Sequence, residues 1–499
     1  MEKIEKLLSP FQIDLRTLGL FRILFGLLLF RDLIDRILHL NVFYSDWGVL
    51  PRHVLLSEQT SSTIWSVFFA SGSAIQSGLL LGILGVFIIL FTLGLKTRIS
   101  NFFIWILLTS LHARFPLANH GGDDLIRVCL FWSMLLPTNA YFSLDSQFSH
   151  GTKELPHRLT QFATMAFLGQ LAYMYIFTGL LKWHPIWHTE GSAIWLAIQL
   201  DQFAKPFGVL LRSLPFEVTR FMTITILWFE LIAPILVFSP WKRQFFRTWI
   251  PLLFIGFHFG LFISFEINLF PWTCMIYWVA FLPEALWTKF PTLENRINQL
   301  IDSAAGLVKF ISPHRPQLRY SNLMMAFIVA CFGVITYWNV ATLNDHDDIK
   351  ITGPLRTIAS TLRISQKWNM FAPYPKRYSG WMVTDGVLND GSSWDPFRDT
   401  AVNYDKPEDV VGSYRDGIWR KYLGNLVDAG NDTNRLYLGK WICRQWNESH
   451  SGDKKLQTFK LYYVNTRTQR PSENNGQPFE QRRTLLWSHY CFKKPDHFN

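Results

Sequence analysis

Charge is scarce in this sequence. Asp, Glu, Lys and Arg make up 17% of its 499 residues, against about a quarter in soluble domains, and 49% are hydrophobic. That balance excludes an ordinary water-soluble globule. Cysteine is also sparse: Cys129, Cys274, Cys331, Cys443 and Cys491 form no CxxC pair and no zinc-ligand spacing. His112 and His120 are not at metal-ligand spacing on one helix, so no metal is expected. No DNA or RNA motif stands among the basic residues. The net charge of +11 therefore points to basic loops beside a membrane, with no nucleic acid partner. The start MEKIEKLLSP lacks a small-residue cleavage site after a short apolar core and does not read as a cleavable leader. Nor does an inverted repeat or a pair of broken helices mark a transporter.

Long apolar runs are what the chain does have, with 21 Trp and 43 Phe of the kind that settle at headgroup level. A span of roughly 20 apolar residues predicts about nine transmembrane helices. They lie near 15–37, 74–94, 99–115, 124–142, 162–182, 221–240, 249–265, 267–287 and 322–341. Segments 61–73 and 192–211 read as short helices lying at the surface or re-entering. After Asn344 the composition turns polar. There GWMVTDGVLNDGSSWDPF reads as strand, turn and strand around Asn389-Asp390-Gly391, and KLQTFKLYYV and RRTLLWSHYCF also read as strands. The fold class expected is a polytopic α-helical membrane bundle over 1–343 with a small β or α+β soluble domain over 344–499.

Basic residues set an expected orientation. With the N-terminus cytoplasmic, inside loops hold Lys96, Arg98, Lys153, Arg158, Lys242, Arg243 and Arg247, then Lys289, Arg296, Lys309, Arg315 and Arg319. The opposite loops hold chiefly Arg52, Lys205, Arg212 and Arg220. An odd number of spans then places the tail outside the cytoplasm, across the cell membrane if the source is bacterial. In that compartment Cys443 and Cys491 could pair, while the other three cysteines read as buried small hydrophobes.

Against this apolar background, ionisable residues inside the runs demand an explanation, because a charge in hydrocarbon costs several kcal/mol. Glu230 stands in mid-run and Lys182 directly ends the run 162–181. Arg22, Arg31, Asp32, Asp35 and Arg36 crowd the first run, where Arg31 with Asp35 and Asp32 with Arg36 share a helical face and can pair. Glu230 must be protonated or paired, with Arg22, Arg114 or Lys182 as candidates. Lys182 reads either as a snorkelling lysine or as a desolvated functional amine. His258, between Phe257 and Phe259, reads as a core histidine or a proton relay. Asp123 follows two glycines and opens a helix, where a cap is its plainer role. In the tail, Trp368, Met370, Phe371 and Pro373 form an apolar turn suited to packing the soluble domain onto the membrane face.

Several short patterns in order carry a resemblance. DLRTLGLFRI followed by FYSDWGVLPR, then HARFPLANHGGDD, TGLLKWHPIW and GFHFGLFISFEINLFPW, resemble the horizontally transferred transmembrane (HTTM) domain, the membrane module shared with vitamin K-dependent γ-carboxylases, over roughly residues 12–290. Arg114, Asn119, His120, Gly121, Gly122 and Asp123 carry one block, Lys182 and Trp187 another, and His258, Phe265, Ile267, Phe270 and Pro271 a third. The resemblance implies Lys182 as the base toward reduced vitamin K or menaquinone, with His258 assisting. In such an enzyme Glu230 and Arg22 would hold the polar cavity, with Arg114, His120 and Trp187 also placed around the cofactor. Oxygen and carbon dioxide would complete a carboxylation or a quinone epoxidation. The tail is much shorter than the lumenal region of the animal enzymes, so glutamate carboxylation does not follow. Two classes of function stand: a membrane enzyme acting with a lipophilic quinone, and a non-catalytic scaffold or maturation factor recognising an exported protein.

Overall fold

The computed structural model describes residues 8–58, 63–148, 155–305, 316–343, 352–473 and 480–492. Among these, five helices are long and apolar enough to cross a bilayer: Ala74–Leu93, Phe162–Leu181, Phe216–Leu236, Arg243–Ser264 and Asn322–Ala341. At 1.5 Å per residue each spans about 30 Å. Four of them turn most of their apolar surface outward, as lipid-facing helices do. Phe162–Leu181 differs, with 72% of its apolar window buried, and so forms the centre of the bundle. Local signals set the ends. Ser73 and Gln76 make a reciprocal capping box that starts one helix, and Gly94, at φ 76°, ends it in the left-handed region.

The membrane part is thus a multi-pass helical bundle, but the nine expected spans are not all built alike. Leu15–Leu38 is a continuous 24-residue helix started by Asp14, which accepts from the Arg16 and Thr17 amides. It carries Arg31–Asp35 and Asp32–Arg36 as the expected i,i+4 pairs. The run expected over 124–142 forms a helix only over Gly121–Ser133, and that over 267–287 breaks into Phe270–Val279 and the start of the short helix Ala285–Lys289. The first two of these helices reach about 20 Å and 15 Å, short of a bilayer core. Pro137 and Pro283 follow them closely, and neither can continue a helix. Segment 192–211 resolves into the short helices Ala193–Ile198 and Pro206–Leu210. Cys129, Cys274 and Cys331 are buried free thiols.

The tail is α+β. Four antiparallel strands lie in the order Ser393–Trp394, Tyr378–Leu388, Leu456–Arg467, Arg482–Tyr490, with Trp381 opposite Val464. The first two strands meet across Asn389-Asp390-Gly391, where Gly391 takes φ 80°. Helices Gly417–Asn425 and Asp432–Ser449 are absent from the strand-centred expectation; the second packs on the sheet, and the first packs on Pro116–Ala118 of the bundle. A disulfide joins Cys443 to Cys491. Residues 344–351, where the expected domain boundary falls, and Lys153, Lys309 and Arg315 lie outside the described residues.

The tail and the N-terminal residues occupy opposite faces of the bundle. On one face Arg247, at the start of its helix, donates to the carbonyls of Pro10 and Gln12, and Ile13–Asp14 pairs with Arg158–Leu159. On the other, the tail meets the far ends of the same helices. Arg420 donates to the Glu266 carbonyl at 3.0 Å, Asn425 to the Leu117 carbonyl at 2.6 Å, and Lys406 pairs with Asp201 at 2.8 Å. His39 pairs with Asp416 at 2.8 Å. Burial opposes a charged His39, yet the bonds to Asp416 and to the Asp35 carbonyl raise its pKa above the ordinary value. Burial likewise opposes the Asp416 carboxylate, but His39 and the Trp419 and Ile418 amides bring its pKa down.

Candidate active site

The site starts from a close approach of two helices. A Cβ on Gly179 would lie 2.7 Å from Cγ of Leu231, so only glycine lets Phe162–Leu181 settle this near Phe216–Leu236. Lys182, three residues on, then meets Glu230, the neighbour of Leu231. Their side chains are 5% and 6% exposed, and Nζ donates to Oε2 at 2.5 Å. Pro234 lacks the amide hydrogen that would bond the Glu230 carbonyl, which loosens the helix at this residue. Of the three partners open to Glu230, Lys182 is the one it has.

Trp187 covers the lysine. After Lys182 the chain turns through His184 and Pro185, and His184 caps a four-residue helix by accepting from the Ile186 amide. This turn brings the Trp187 ring over Lys182 Nζ, 4.6 Å from the centroid. One wall is aromatic and hydrogen-bonded. Tyr175, two helical turns before Lys182 and on its face, shares a 2.5 Å hydrogen bond with His258 Nε2 and accepts from Trp278 Nε1 at 3.0 Å. Phe254 stacks on Trp278 at 4.4 Å, and Phe257 and Phe270 pack on His258. His258 lies within electrostatic reach of Lys182, as Tyr175 and Cys274 do of Glu230. His258 Nδ1 is buried and has no hydrogen-bond partner among the described residues.

Other expected site residues lie elsewhere. Arg22 is fully buried and donates to the carbonyls of Thr138, Tyr141 and Phe142, closing a turn on the N-terminal face. Arg114 donates to the carbonyls of Leu50 and Ser45. Both guanidiniums bind turn carbonyls through their terminal nitrogens, and Arg114 also lies 3.5 Å from Asp46. His120 makes a reciprocal cap with Asp123: its Nδ1 accepts from the Gly122 amide, while its own amide donates to Asp123 Oδ2 at 2.9 Å. Asp123 thus caps as expected. It also accepts from Arg36 Nη2 at 2.8 Å, which in turn contacts His112 Nε2 at 3.0 Å. This second polar cluster is separated from His258 by Phe270, whose backbone nitrogen stands 3.0 Å from where a Gly122 Cβ would be.

Sequence reasoning missed Tyr175, Trp278 and Cys274. The seven-residue spacing from Tyr175 to Lys182 was a usable signal for the first. The other two come from a different helix, and no sequence spacing announces them.

The model of the HTTM domain family matches residues 11–287, more than half of the chain. No curated protein and no solved structure matches it. The matched region contains every residue of the Lys182 cluster.

Proposed function

From a chain that belongs to the HTTM domain family, a membrane family related to the γ-carboxylase, we propose an integral membrane enzyme that uses a reduced quinone of the vitamin K or menaquinone type, with oxygen and carbon dioxide. Lys182 is its base. The observation that carries the reading is the buried Lys182–Glu230 pair under the Trp187 ring.

The residues present fit such a group. An aromatic diol needs apolar walls for its ring and a few polar atoms for its oxygens. Trp187, Phe254, Phe257 and Trp278 supply the walls, and Lys182, Glu230 and His258 Nδ1 the polar atoms. When bound, the reduced quinone supplies an acidic O–H and a two-electron ring that reacts with oxygen. The chain manages the proton. Nζ donates its hydrogen bond to Oε2, and passing that proton to Oε2 would leave a neutral amine without drawing on solvent. Nζ is then the atom that accepts, Glu230 the one that relieves it, and the unpartnered Nδ1 of His258 is free to hold an oxygen in place. Arg22, Arg114 and His120 are left out of this role because the hydrogen bonds they make go to turn carbonyls and to a helix cap away from Lys182.

The test is oxygen-dependent turnover of reduced menaquinone or vitamin K by detergent-purified protein, with Lys182→Ala alongside. Consumption by wild type at a rate at least about 100-fold above the variant is expected, the scale of a lost general base. No turnover by wild type with several quinones sinks the enzyme reading, and equal turnover by the variant removes Lys182 from it.

One feature supports the alternative, a non-catalytic scaffold or maturation factor for an exported protein. The tail carries a cleft of about 540 Å³ lined by Lys440, Arg444, His489 and Tyr490, beside the edge strand Arg482–Tyr490. An extended partner could add there as a strand. We assign the cytoplasmic side to the N-terminal face on the strength of its basic loops.

A further inference from the structure

We propose that the tail segment Trp368–Tyr374 is a working part of the Lys182 site: it covers the site and holds Trp187 in place through the Phe371 carbonyl. The inference rests on the reading of Lys182 as the reactive amine, but its test does not need turnover. Trp187 Nε1 donates to the Phe371 carbonyl oxygen at 3.3 Å, and the Phe371 side chain packs in one apolar group with Ile186, Trp187 and Leu196. Phe371 touches Trp187 and is therefore a positioning residue.

The segment is tied down at both ends to the part of the chain that carries Lys182. Trp368 is fully buried and donates to Gln366 Oε1 at 2.7 Å, and the same oxygen accepts from Gln170 Nε2 at 2.6 Å, on the Lys182 helix. At the other end the Tyr374 ring packs at a tilt against His184, ring centroids 5.1 Å apart, in the turn that presents Trp187. Between these anchors Met370 rests against Gly121. Phe371 itself takes φ 55°, a left-handed conformation that costs any residue but glycine. A bulky side chain kept at such a position is held there by what it contacts. The consequence is that the membrane site is roofed by the soluble domain. Whatever displaces Phe371 removes both the cover and the hydrogen bond that orients the ring over Nζ.

The φ value makes a clean test. Phe371→Gly suits the backbone and removes only the cover, so the fold should survive. Trp187→Phe keeps an aromatic face and removes the donor to Phe371. The probe is an N-hydroxysuccinimide acetate applied to detergent-purified full-length chain, with acylation of Lys182 and Lys205 followed by peptide mass spectrometry. Lys205 pairs with Glu266 and serves as the internal control. Acylation of Lys182 should rise at least about fivefold in Phe371→Gly and rise also in Trp187→Phe, with Lys205 unchanged, because labelling of a buried group follows the population of the open form. An unchanged Lys182 rate in both variants overturns the proposal. So does an equal rise at Lys182 and Lys205, which would mean general loosening. A wild type without quinone turnover would refute the enzyme and leave this measurement standing.

Discussion

Breaking the Lys182–Glu230 pair should cost far more than deleting it whole. Glu230→Leu leaves an ammonium 5% exposed facing an apolar side chain, and Lys182→Met leaves a carboxylate 6% exposed with no cation. Removing one partner of a buried ion pair costs about 3–5 kcal/mol, because the remaining charge was desolvated on the understanding of a counter-charge. Replacing both by apolar residues of similar volume is close to neutral. The double variant Lys182→Met/Glu230→Leu should therefore lose no more than about 1 kcal/mol. The singles together would lose about 6 kcal/mol or more, so the cycle yields a coupling of roughly 5 kcal/mol. The assay is reversible denaturant unfolding of all four proteins in one detergent, read by Trp fluorescence, with a common slope required before free energies are compared. Additive losses would refute the reasoning. They would mean that Glu230 and Lys182 are each satisfied by water or by another group, and the proton transfer on which the proposed chemistry depends would go with them.

Other perturbations follow from the same coordinates. The His39–Asp416 contact should make tail docking depend on pH at both ends. His39 has a raised folded pKa, so its contribution is full below the ordinary value of about 6.5 and is lost as pH rises through the folded value. Asp416 has a lowered one, so its contribution is present above the ordinary carboxylate value and fails as pH falls through the folded one. Hydrogen exchange in the Gly417–Asn425 helix should be slower at pH 5.5 than at pH 8.5 by more than the intrinsic rates explain, and His39→Gln should remove the difference. Arg22→Met strands three buried carbonyls and should cost about 3 kcal/mol. Lys182 acylation should not change, and a change there would place Arg22 back in the site. Reducing Cys443–Cys491, 48 residues apart, should destabilise the tail by up to about 4 kcal/mol. Proteolysis after reduction should cut the tail and spare the bundle.

The membrane class was legible because it depends on amount and run length, which sequence states directly. The strands around Asn389-Asp390-Gly391 were legible because turn chemistry is local, and Asp123 was legible as a cap for the same reason. Helix length was less so. Nothing in an apolar run over 124–142 says where pairing stops, and the short helices Gly121–Ser133 and Phe270–Val279 are set by the turns that follow them and by burial against neighbours.

The candidate site divides the same way. Lys182, Glu230, His258 and Trp187 stood out from sequence because polar groups in apolar surroundings, and short motifs in order, are visible without coordinates. Arg22 and Arg114 stood out for the same reason and belong to chain turns instead. Burial cost is a property of one residue and can be read from its neighbours in the chain. The partner that relieves the cost is a property of two, and these lie 48 residues apart for Lys182 and Glu230 and 116 for Arg22 and Thr138. Sequence by itself determined that these charges must be compensated. Only the tertiary structure, through the space that Gly179 leaves for Leu231, decided which one compensates which.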